Sequence, residues 1–543
     1  MEFMELIKTP KVDNVVFVRS FNRKKVTGTL CLTSHHLLFV DRSSISPEEE
    51  LMILYTSIEC LEKKVSGIAG DVTLRLKDFT LLKFKIPSQE DALNVADSVE
   101  KLSSLGSATS YYPFFLNVEI LDDGWERFRM QEEYNKIIGA STDWRISSVN
   151  QDYKVCRSYP SLVIVPSNCT DDMLRASAGF RQIQRFPILA YLHTNKIPIL
   201  RSSQPLTGSG GRRCKDDEKL LSVIATGHKG TIVDTRSSMV VSSNKSKKGG
   251  GIETDYYTHW RRTMHNIEKA THLADTIARL YEACSDTKAP NWLSKLEASG
   301  WMRYIESCLT AALKVAVYVC KDNSPVLVHG ENGQDMTLVV TSLAQVLLDP
   351  SSRTVLGFES LIMRDWIWAG YPFTKRHQRV GFATNKRKEN SATFLLFLDC
   401  VHQIMNQYGS TFEFNENFLL VLFEHSYYSQ YGTFLFDCEL QREQSKLRQK
   451  TTSLWSYLND EGVLAKYRNP LYEHNEQVLW PSVAPQSMQL WYSMFAKSTL
   501  SRGPDSKNEL DIVITETKKE NEELKIKARM LKERYEELLK QQA

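Results

Sequence analysis

The sequence predicts three consecutive units, which are a small β-barrel closed by a capping helix, a large α/β domain and a C-terminal coiled-coil helix. Strand-like runs fill residues 1–86, whereas strand-like and helical stretches alternate over residues 111–500. Residues 508–541 contain no Gly or Pro and repeat apolar residues about every 3.5 positions. We therefore predict domain boundaries at 1–105, 111–500 and 508–541.

The composition excludes several classes of protein. Of the 543 residues, 42% are hydrophobic and 24% are charged, as in ordinary globular domains. The net charge of +3 gives no global basic field for nucleic acid. The ten cysteines form no CxxC pair, which indicates reduced thiols and no metal site. No run approaches the roughly 18 apolar residues of a membrane span, and the N-terminus lacks a signal-peptide pattern, so we expect a cytoplasmic protein.

The N-terminal unit reads as strands followed by one helix. Six short runs are rich in β-branched and aromatic residues, namely 14–19, 26–33, 36–41, 51–55, 72–76 and 80–86. Ser88 is the expected N-cap of the helix, with Asp91 three residues later. The apolar face of this helix should hold Leu93, Ala96, Val99 and Leu102. A Ser-, Gly- and Thr-rich link at 103–110 then ends the domain.

In the middle unit, helical periodicity covers 275–283, 301–318 and 338–348. Residues 325–329 read as a short buried strand. The Gly- and Lys-rich stretches 204–219 and 244–251 read as loops.

The C-terminal segment carries a heptad pattern. The a and d positions are Leu510, Ile514, Thr517, Asn521, Leu524, Ala528, Leu531, Tyr535 and Leu538. Most of these residues suit a dimerisation seam, and a buried Asn521 at an a position would set register and partner number. The alternative is a single solvated helix packed on its own domain, but such a helix is only marginally stable without support.

The most informative stretch is residues 326–337, where a buried strand enters a glycine-bearing loop and then a helix. That layout directs backbone N–H groups and the positive helix end toward one anion. Cysteine phosphatases use it with the pattern His-Cys-x5-Arg. Two similar spacings are weaker: the loop from Cys169 to Arg175 has no glycine and two acids, and residues 208–215 lack a strand–helix frame.

The loop resembles that of the myotubularin family, His-Cys-Ser-Asp-Gly-Trp-Asp-Arg-Thr, and the resemblance extends over nearly the whole chain. Matching stretches are residues 185–187, 201–205, 234–236, 249–253, 341–344, 348–350, 353–354, 357–359, 366, 397–400, 412–415, 432–435, 453–455 and 469–472. The resemblance implies a PH-GRAM domain, a cysteine-phosphatase-like α/β domain and a coiled coil, in that order.

The departures from the family pattern decide the expected chemistry. Gly330 stands in place of the nucleophilic Cys, and Met336 stands in place of the phosphate-binding Arg. Three more positions differ, namely Glu331, Asn332 and Gln334, whereas the pattern is kept at His329, Gly333, Asp335 and Thr337. We therefore expect a degenerate loop with no catalytic residue, in a protein that is not an enzyme and needs no cofactor.

The resemblance implies a regulatory or adaptor subunit that binds active myotubularin-related proteins six, seven and eight through the coiled coil. Those proteins act on phosphatidylinositol 3-phosphate and phosphatidylinositol 3,5-bisphosphate, so we expect peripheral association with endomembranes. The heptads alone also leave homodimers open.

The sequence leaves two alternatives to a regulatory subunit. One is a phosphoinositide-binding scaffold, with lipid contacts at Arg19, Arg23, Lys24 and Lys25, although the N-terminal domain carries a slight excess of acids. The other is an enzyme with an unrecognised site, and no arrangement of residues supports it.

Overall fold

The computed structural model describes residues 3–18, 25–41, 51–116, 123–225, 227–247, 249–253, 256–267, 269–284, 290–381 and 389–495. The predicted coiled-coil helix, with its seam residues 510–538, lies outside the described residues. So do Arg19, Arg23 and Lys24 among the predicted lipid contacts.

The N-terminal domain consists of β-strands covered by one helix, as predicted, and the strands form one seven-stranded antiparallel sheet. Its strands are β1 Lys11–Val18, β2 Lys25–Leu32, β3 His36–Asp41, β4 Leu51–Leu54, β5 Ile58–Ser66, β6 Ala69–Leu76 and β7 Leu81–Ile86. They are ordered β4-β3-β2-β1-β7-β6-β5, so β4 and β5 form the two edges. The prediction missed β5, because charged residues such as Glu59 and Lys63 interrupt its apolar pattern.

The covering helix, α1 Gln89–Leu102, begins where the sequence predicts. The Ser88 side chain accepts a hydrogen bond from the backbone N–H of Asp91. The buried face runs through Ala92, Val95, Ala96, Val99 and Leu102. Leu93, which we expected on this face, is half-buried beside it.

The second domain is built around a five-stranded sheet ordered β10-β11-β14-β12-β13. The strands are β10 Ile188–Leu192, β11 Pro198–Ser203, β12 Gly230–Asp234, β13 Trp260–Met264 and β14 Val326–Gly330, and a separate pair consists of β8 Trp144–Ser147 and β9 Val163–Pro166. β14 runs parallel to β11 on one side and to β12 on the other, and it is buried throughout.

Helices surround this sheet. They are α2 Met130–Ile138, α3 Asp171–Phe180, α4 Lys215–Ile224, α5 Ser238–Lys247, α6 Leu273–Cys284, α7 Trp292–Ser299, α8 Trp301–Cys320, α9 Met336–Leu348, α10 Val355–Ile362, α11 Phe373–Arg376, α12 Thr393–Gln407, α13 Glu416–Tyr427, α14 Glu439–Gln444, α15 Leu447–Lys450, α16 Leu454–Leu458, α17 Glu461–Leu464 and α18 Tyr492–Phe495. Every residue of α9 is buried, which places this helix in the centre of the domain. In the described part of the chain, no helix has both the length and the apolarity that a membrane span requires.

Two stretches that we predicted as loops contain helices. α4 begins at Lys215 inside the stretch 204–219, and its first turn carries three acids that favour a helix N-terminus. α5 reaches Lys247 inside the stretch 244–251. Its apolar residues do not follow a helical period, so the sequence pattern could not reveal it.

The two domains are joined by the turn between β6 and β7. Phe79 at this turn is buried in the core of the second domain, with its ring centroid 5.9 Å from that of Tyr281, 6.3 Å from Phe423 and 5.8 Å from Phe495. The N-terminal domain therefore contributes a side chain to the second domain's core, and this contact reaches the last described residue, Phe495.

Candidate functional site

The loop after β14 lies at the carboxyl edge of the central sheet. In the strand register, Gly330 faces Ser203 of β11, and His329 faces Ser202 of β11 and Asp234 of β12. The chain then turns through residues 331–335 and enters α9 at Met336. The structure thus brings all nine predicted loop residues together at a helix N-terminus, the place where parallel α/β sheets bind their ligands.

The fold of the loop depends on Gly333. This residue has φ +66°, and a Cβ placed there would lie 2.4 Å from the carbonyl oxygen of Ser202. Arg185, which is fully buried, donates from Nη2 to the carbonyl oxygen of Gly333 at 3.0 Å. Gln334 donates from Nε2 to the carbonyl oxygen of Gly370 at 2.6 Å. The loop is therefore held by a glycine turn and by two hydrogen bonds to its backbone and side chains.

We expected the nucleophile at the end of β14, where the structure places Gly330. A Cβ at this position would lie 2.9 Å from Thr235 Oγ1 and 3.1 Å from Thr337 Oγ1, so a side chain would enter a narrow space between two hydroxyls. Thr235 donates to the carbonyl oxygen of His329 at 3.1 Å. Thr337 Oγ1 is buried without a hydrogen-bond partner among the described residues. Two hydroxyl groups therefore lie near residue 330. Neither belongs to residue 330 itself, where we expected the nucleophile.

We expected the phosphate-binding arginine at position 336, where the structure places Met336, buried at the start of α9. A thioether donates no hydrogen bond and carries no charge, so it cannot grip phosphate oxygens. Among the described residues, the backbone N–H groups of residues 332–336 make no hydrogen bond within the protein. The backbone half of an anion site is present, and the guanidinium half is missing.

His329 belongs to a buried charged network beneath the loop. Its Nε2 lies 3.1 Å from Glu253 Oε2, a distance at which the imidazole N–H donates to the carboxylate. Arg181 donates to Glu253 at 2.9 Å and makes two bonds to Asp217, at 2.9 and 2.7 Å. Burial acts to raise the pKa of Glu253, yet His329 and Arg181 outweigh it and hold that pKa well below its usual range. The network orients His329 and commits the charge of Arg181 to two carboxylates.

A second network surrounds Asp234 at the end of β12. Arg236 makes two bonds to this carboxylate, at 2.9 and 2.7 Å, and also donates to Gln204 Oε1. Arg262 donates to Asp234 as well, at 3.1 and 2.7 Å. Burial opposes ionisation, but the nearby charges of His329 and Arg236 lower the pKa of Asp234 to about 2. These arginines are committed to a carboxylate and do not replace the guanidinium missing at position 336.

Asp335 is held by Arg376 in a two-pronged ion pair. The bonds run from Nε to Oδ1 at 3.0 Å and from Nη2 to Oδ2 at 2.7 Å. Asp335 adopts a left-handed backbone conformation, with φ +47°, immediately before α9. Such a conformation is costly for a residue with a side chain, and the ion pair and the neighbouring glycine turn hold it in place.

The competing Cys169 spacing carries no phosphatase site. Cys169 is buried, and burial raises the pKa of its thiol. Arg175 lies on the surface of α3 and pairs with Asp172 at 2.8 Å. The segment is a helix start capped by Thr170, whose side chain accepts from the N–H of Met173.

Of the predicted lipid contacts, the structure describes Lys25 alone, which is exposed at the start of β2. It pairs with Val18, and Val18 also pairs with Lys83 of β7. Lys25 therefore lies at the same end of the sheet as the turn that buries Phe79 in the second domain.

Several residues of the site were not found from the sequence. Arg181 and Asp217 lie 36 positions apart and share no motif, yet both are fully buried and paired. Arg376 likewise carries no sequence signal that links it to Asp335. In each case a buried ion pair uses the same residue types as an exposed surface, so composition cannot distinguish the two.

Comparison with known proteins gives two family matches. Residues 108–443 match the myotubularin-like phosphatase domain, and residues 11–103 match the GRAM domain of the MTMR6-9 group. The chain is 45% identical over 545 residues to Myotubularin-related protein 9 of Mus musculus, covering 99% of both chains. The Homo sapiens protein of that name is also 45% identical, with 99% of this chain and 98% of the relative covered.

A more distant relative carries an enzymatic name. Phosphatidylinositol-3,5-bisphosphate 3-phosphatase MTMR8 of Gallus gallus is 36% identical over 508 residues, which cover 91% of this chain and 80% of that protein.

Proposed function

The chain belongs to the myotubularin family, and we propose that it is a catalytically inactive member that regulates active relatives. The observation that carries this proposal is the pair of replacements at Gly330 and Met336, on a loop that otherwise keeps its fold. Loss of a nucleophile typically costs about 10⁴–10⁶ in rate. Loss of the arginine removes charge-assisted hydrogen bonds of about 1.5–3 kcal/mol each. Both losses act on the same step, so rescue by one neighbouring residue is not expected.

The proposed partners are active myotubularin-related phosphatases of the six, seven and eight group. Relatives at 34–36% identity are named phosphatidylinositol-3,5-bisphosphate 3-phosphatases, which supports a shared membrane substrate class. The C-terminal heptads supply the contact between the two chains. Binding to the folded partner stabilises it by mass action, and it changes turnover or substrate choice if the paired state favours one conformation of the active site.

The proposed place of action is the cytoplasmic face of endomembranes, where phosphatidylinositol 3-phosphate and its 3,5-bisphosphate would be presented. The partner and the basic residues between β1 and β2 would provide the membrane contact. The competing function, a lipid-binding scaffold without effect on a partner, rests on those basic residues alone.

The two functions predict different behaviour for a chain that lacks residues 506–543. A regulatory subunit loses capture of an active myotubularin-related partner in a pull-down, whereas the full chain retains it. Binding to phosphoinositide vesicles serves as the control, because the N-terminal domain is intact in both proteins. Full-strength capture of the partner by the truncated chain would overturn the heptad assignment.

A further inference from the structure

A cavity of about 400 Å³ lies between the N-terminal domain and the second domain. Residues of β5, of the turn after β6 and of the end of α1 form one wall, and residues 373–379 and 425–435 form the other. The volume lies within the range that small-molecule sites occupy. The cavity is separate from the loop after β14 and shares none of the predicted site residues with it.

Lys77 in the cavity wall is a buried cation held by neutral groups. Its side chain is 5% exposed, and Nζ donates to the carbonyl oxygens of His377 at 3.1 Å and Tyr427 at 3.5 Å. Within the described part of the chain, no carboxylate lies within 4.0 Å of this ammonium. Burial lowers the pKa of Lys77 to about 8, so the group is mostly protonated at neutral pH.

Arg379 is the second cation of the cavity. Its guanidinium donates to the carbonyl oxygen of Ile58 at 3.1 Å and to that of Glu59. In the ranges that the structure describes, it also has no carboxylate within ion-pair distance. The nearby Glu59 carboxylate accepts hydrogen bonds from the backbone N–H groups of Val380 at 2.9 Å and Gly381 at 3.0 Å. The charge of Glu59 favours the charged form of Lys77, so this carboxylate balances part of the positive charge. Lys77, Arg379 and Glu59 together leave one positive charge in the cavity wall.

The remaining wall suits an organic ligand. Burial lowers the pKa of His377 to about 3 and that of His425 to about 4, so neither ring adds charge at neutral pH. Thr56, Ser103 and Ser104 supply hydroxyl groups, and Glu100 adds one carboxylate at the exposed rim. Aromatic side chains complete the wall, namely Phe373, Tyr428, Tyr431 and Phe434.

We propose that this interdomain cavity binds a small phosphate monoester, with Lys77 and Arg379 holding the phosphate. The net positive charge of Lys77, Arg379 and Glu59 favours an anionic group, and hydroxyl donors in the wall can bond the remaining phosphate oxygens. The ester's organic body would lie against the aromatic wall. Because the ligand would bridge both domains, its binding would also strengthen their contact. A soluble sugar phosphate and a lipid headgroup share this chemistry.

The test is titration calorimetry and thermal unfolding of the full chain with glucose 6-phosphate. Glucose and sodium chloride at matched ionic strength are the ligand controls, and inorganic phosphate reports the anion alone. Saturating glucose 6-phosphate should raise Tm by on the order of a few degrees, whereas glucose should not. Phosphatidylcholine vesicles with and without phosphatidylinositol 3-phosphate test the lipid source by cosedimentation.

The variants are Arg379→Met, which removes one cation, and Ser104→Glu, which places a negative charge at the rim without touching the buried interface. Lys101→Met, an exposed change on α1, is the matched control. We expect affinity for the phosphate ester to fall about tenfold or more in the first two proteins and to be kept in the control. The proposal fails if no phosphate probe binds the wild-type chain, or if all four proteins respond equally. Dependence on these residues in the soluble assay or in the vesicle assay supports it and identifies the source.

Discussion

Two side chains that the loop lacks matter more to its chemistry than those that it keeps. On the proposed function, Gly330 leaves the strand end without a side chain that could attack phosphorus, and Met336 places a buried apolar group where a charged donor is expected. Arg181, Arg236 and Arg376 are each bonded to a carboxylate, and Arg185 donates to the carbonyl oxygen of Gly333. None of these four guanidinium groups stands in for the side chain expected at position 336.

Restoring Gly330→Cys and Met336→Arg together should yield little or no turnover of phosphatidylinositol 3-phosphate. A side chain at 330 meets two threonine hydroxyls within 3.1 Å, and Glu331, Asn332 and Gln334 still depart from the family loop. Phosphate release by the purified double variant, beside an active relative as positive control, measures this. Clear turnover would mean that the rest of the site is intact and that the two replacements alone abolish catalysis.

The buried carboxyl group of Glu359 should make the free energy of unfolding depend on pH. Burial raises its pKa to about 8, although Asn459 donates to both of its oxygens at 3.0 Å. A carboxyl with a raised folded-state pKa contributes stability that is complete below the unfolded pKa of about 4.5 and is lost as pH rises through about 8. Glu359→Gln should remove this loss, which amounts to on the order of a few kcal/mol.

Chemical denaturation of the wild type and Glu359→Gln at pH 5 and at pH 8 measures the effect. The exposed Glu461→Gln is the matched control and should follow the wild type. Equal pH dependence in all three proteins would show that Glu359 is ionised in the folded state.

At the scale of elements, the sequence predicted helices and strands correctly where the apolar periodicity was strong. α8, α9, β14 and the strands before β5 match the predicted ranges to within a few residues, because their apolar faces are buried as the pattern requires. β5 was missed because its charges, including the buried Glu59, are satisfied by the other domain. α5 was missed because it is held by contacts such as that from Asn244 to Gln204, and not by an apolar face.

The candidate site was likewise predicted only in part. Its loop was found from adjacent residues, 329–337, whereas its supporting ion pairs join residues that are far apart in sequence. The pairing of His329 with Glu253 spans 76 positions, and the clamp from Arg185 to Gly333 spans 148. Contacts of this kind follow from the tertiary fold, so no local pattern could reveal them.

Because the turn between β6 and β7 packs into the second domain, we expect the two domains to unfold together. Phe79 is 6% exposed and packs against three aromatic rings of the second domain. Phe79→Ala should lower the free energy of unfolding by about 3–5 kcal/mol, as for other buried phenylalanines. Chemical denaturation followed by probes in each domain measures it.

Ile68→Ala is the control for this change, because Ile68 is 88% exposed on the neighbouring turn between β5 and β6. It should alter the free energy of unfolding by no more than about 0.5 kcal/mol. If Phe79→Ala behaves like Ile68→Ala, the turn does not join the domains energetically.

On the scale of the whole molecule, the two described domains pack against each other. The N-terminal domain is fixed to the second domain by Phe79, Lys77 and Glu59, and Phe79 contacts Phe495 directly before the C-terminal segment. On the proposed function, the chain acts through association with a partner and not through its own loop.

The most direct test of regulation is phosphate release from phosphatidylinositol 3-phosphate and phosphatidylinositol 3,5-bisphosphate by an active myotubularin-related partner. The assay is run with and without this chain, and with this chain alone. We expect no phosphate release by this chain alone. We expect the partner's rate or substrate ratio to change when this chain is present. Release by this chain alone would contradict the interpretation of Gly330 and Met336, and an unchanged partner would contradict the regulatory role.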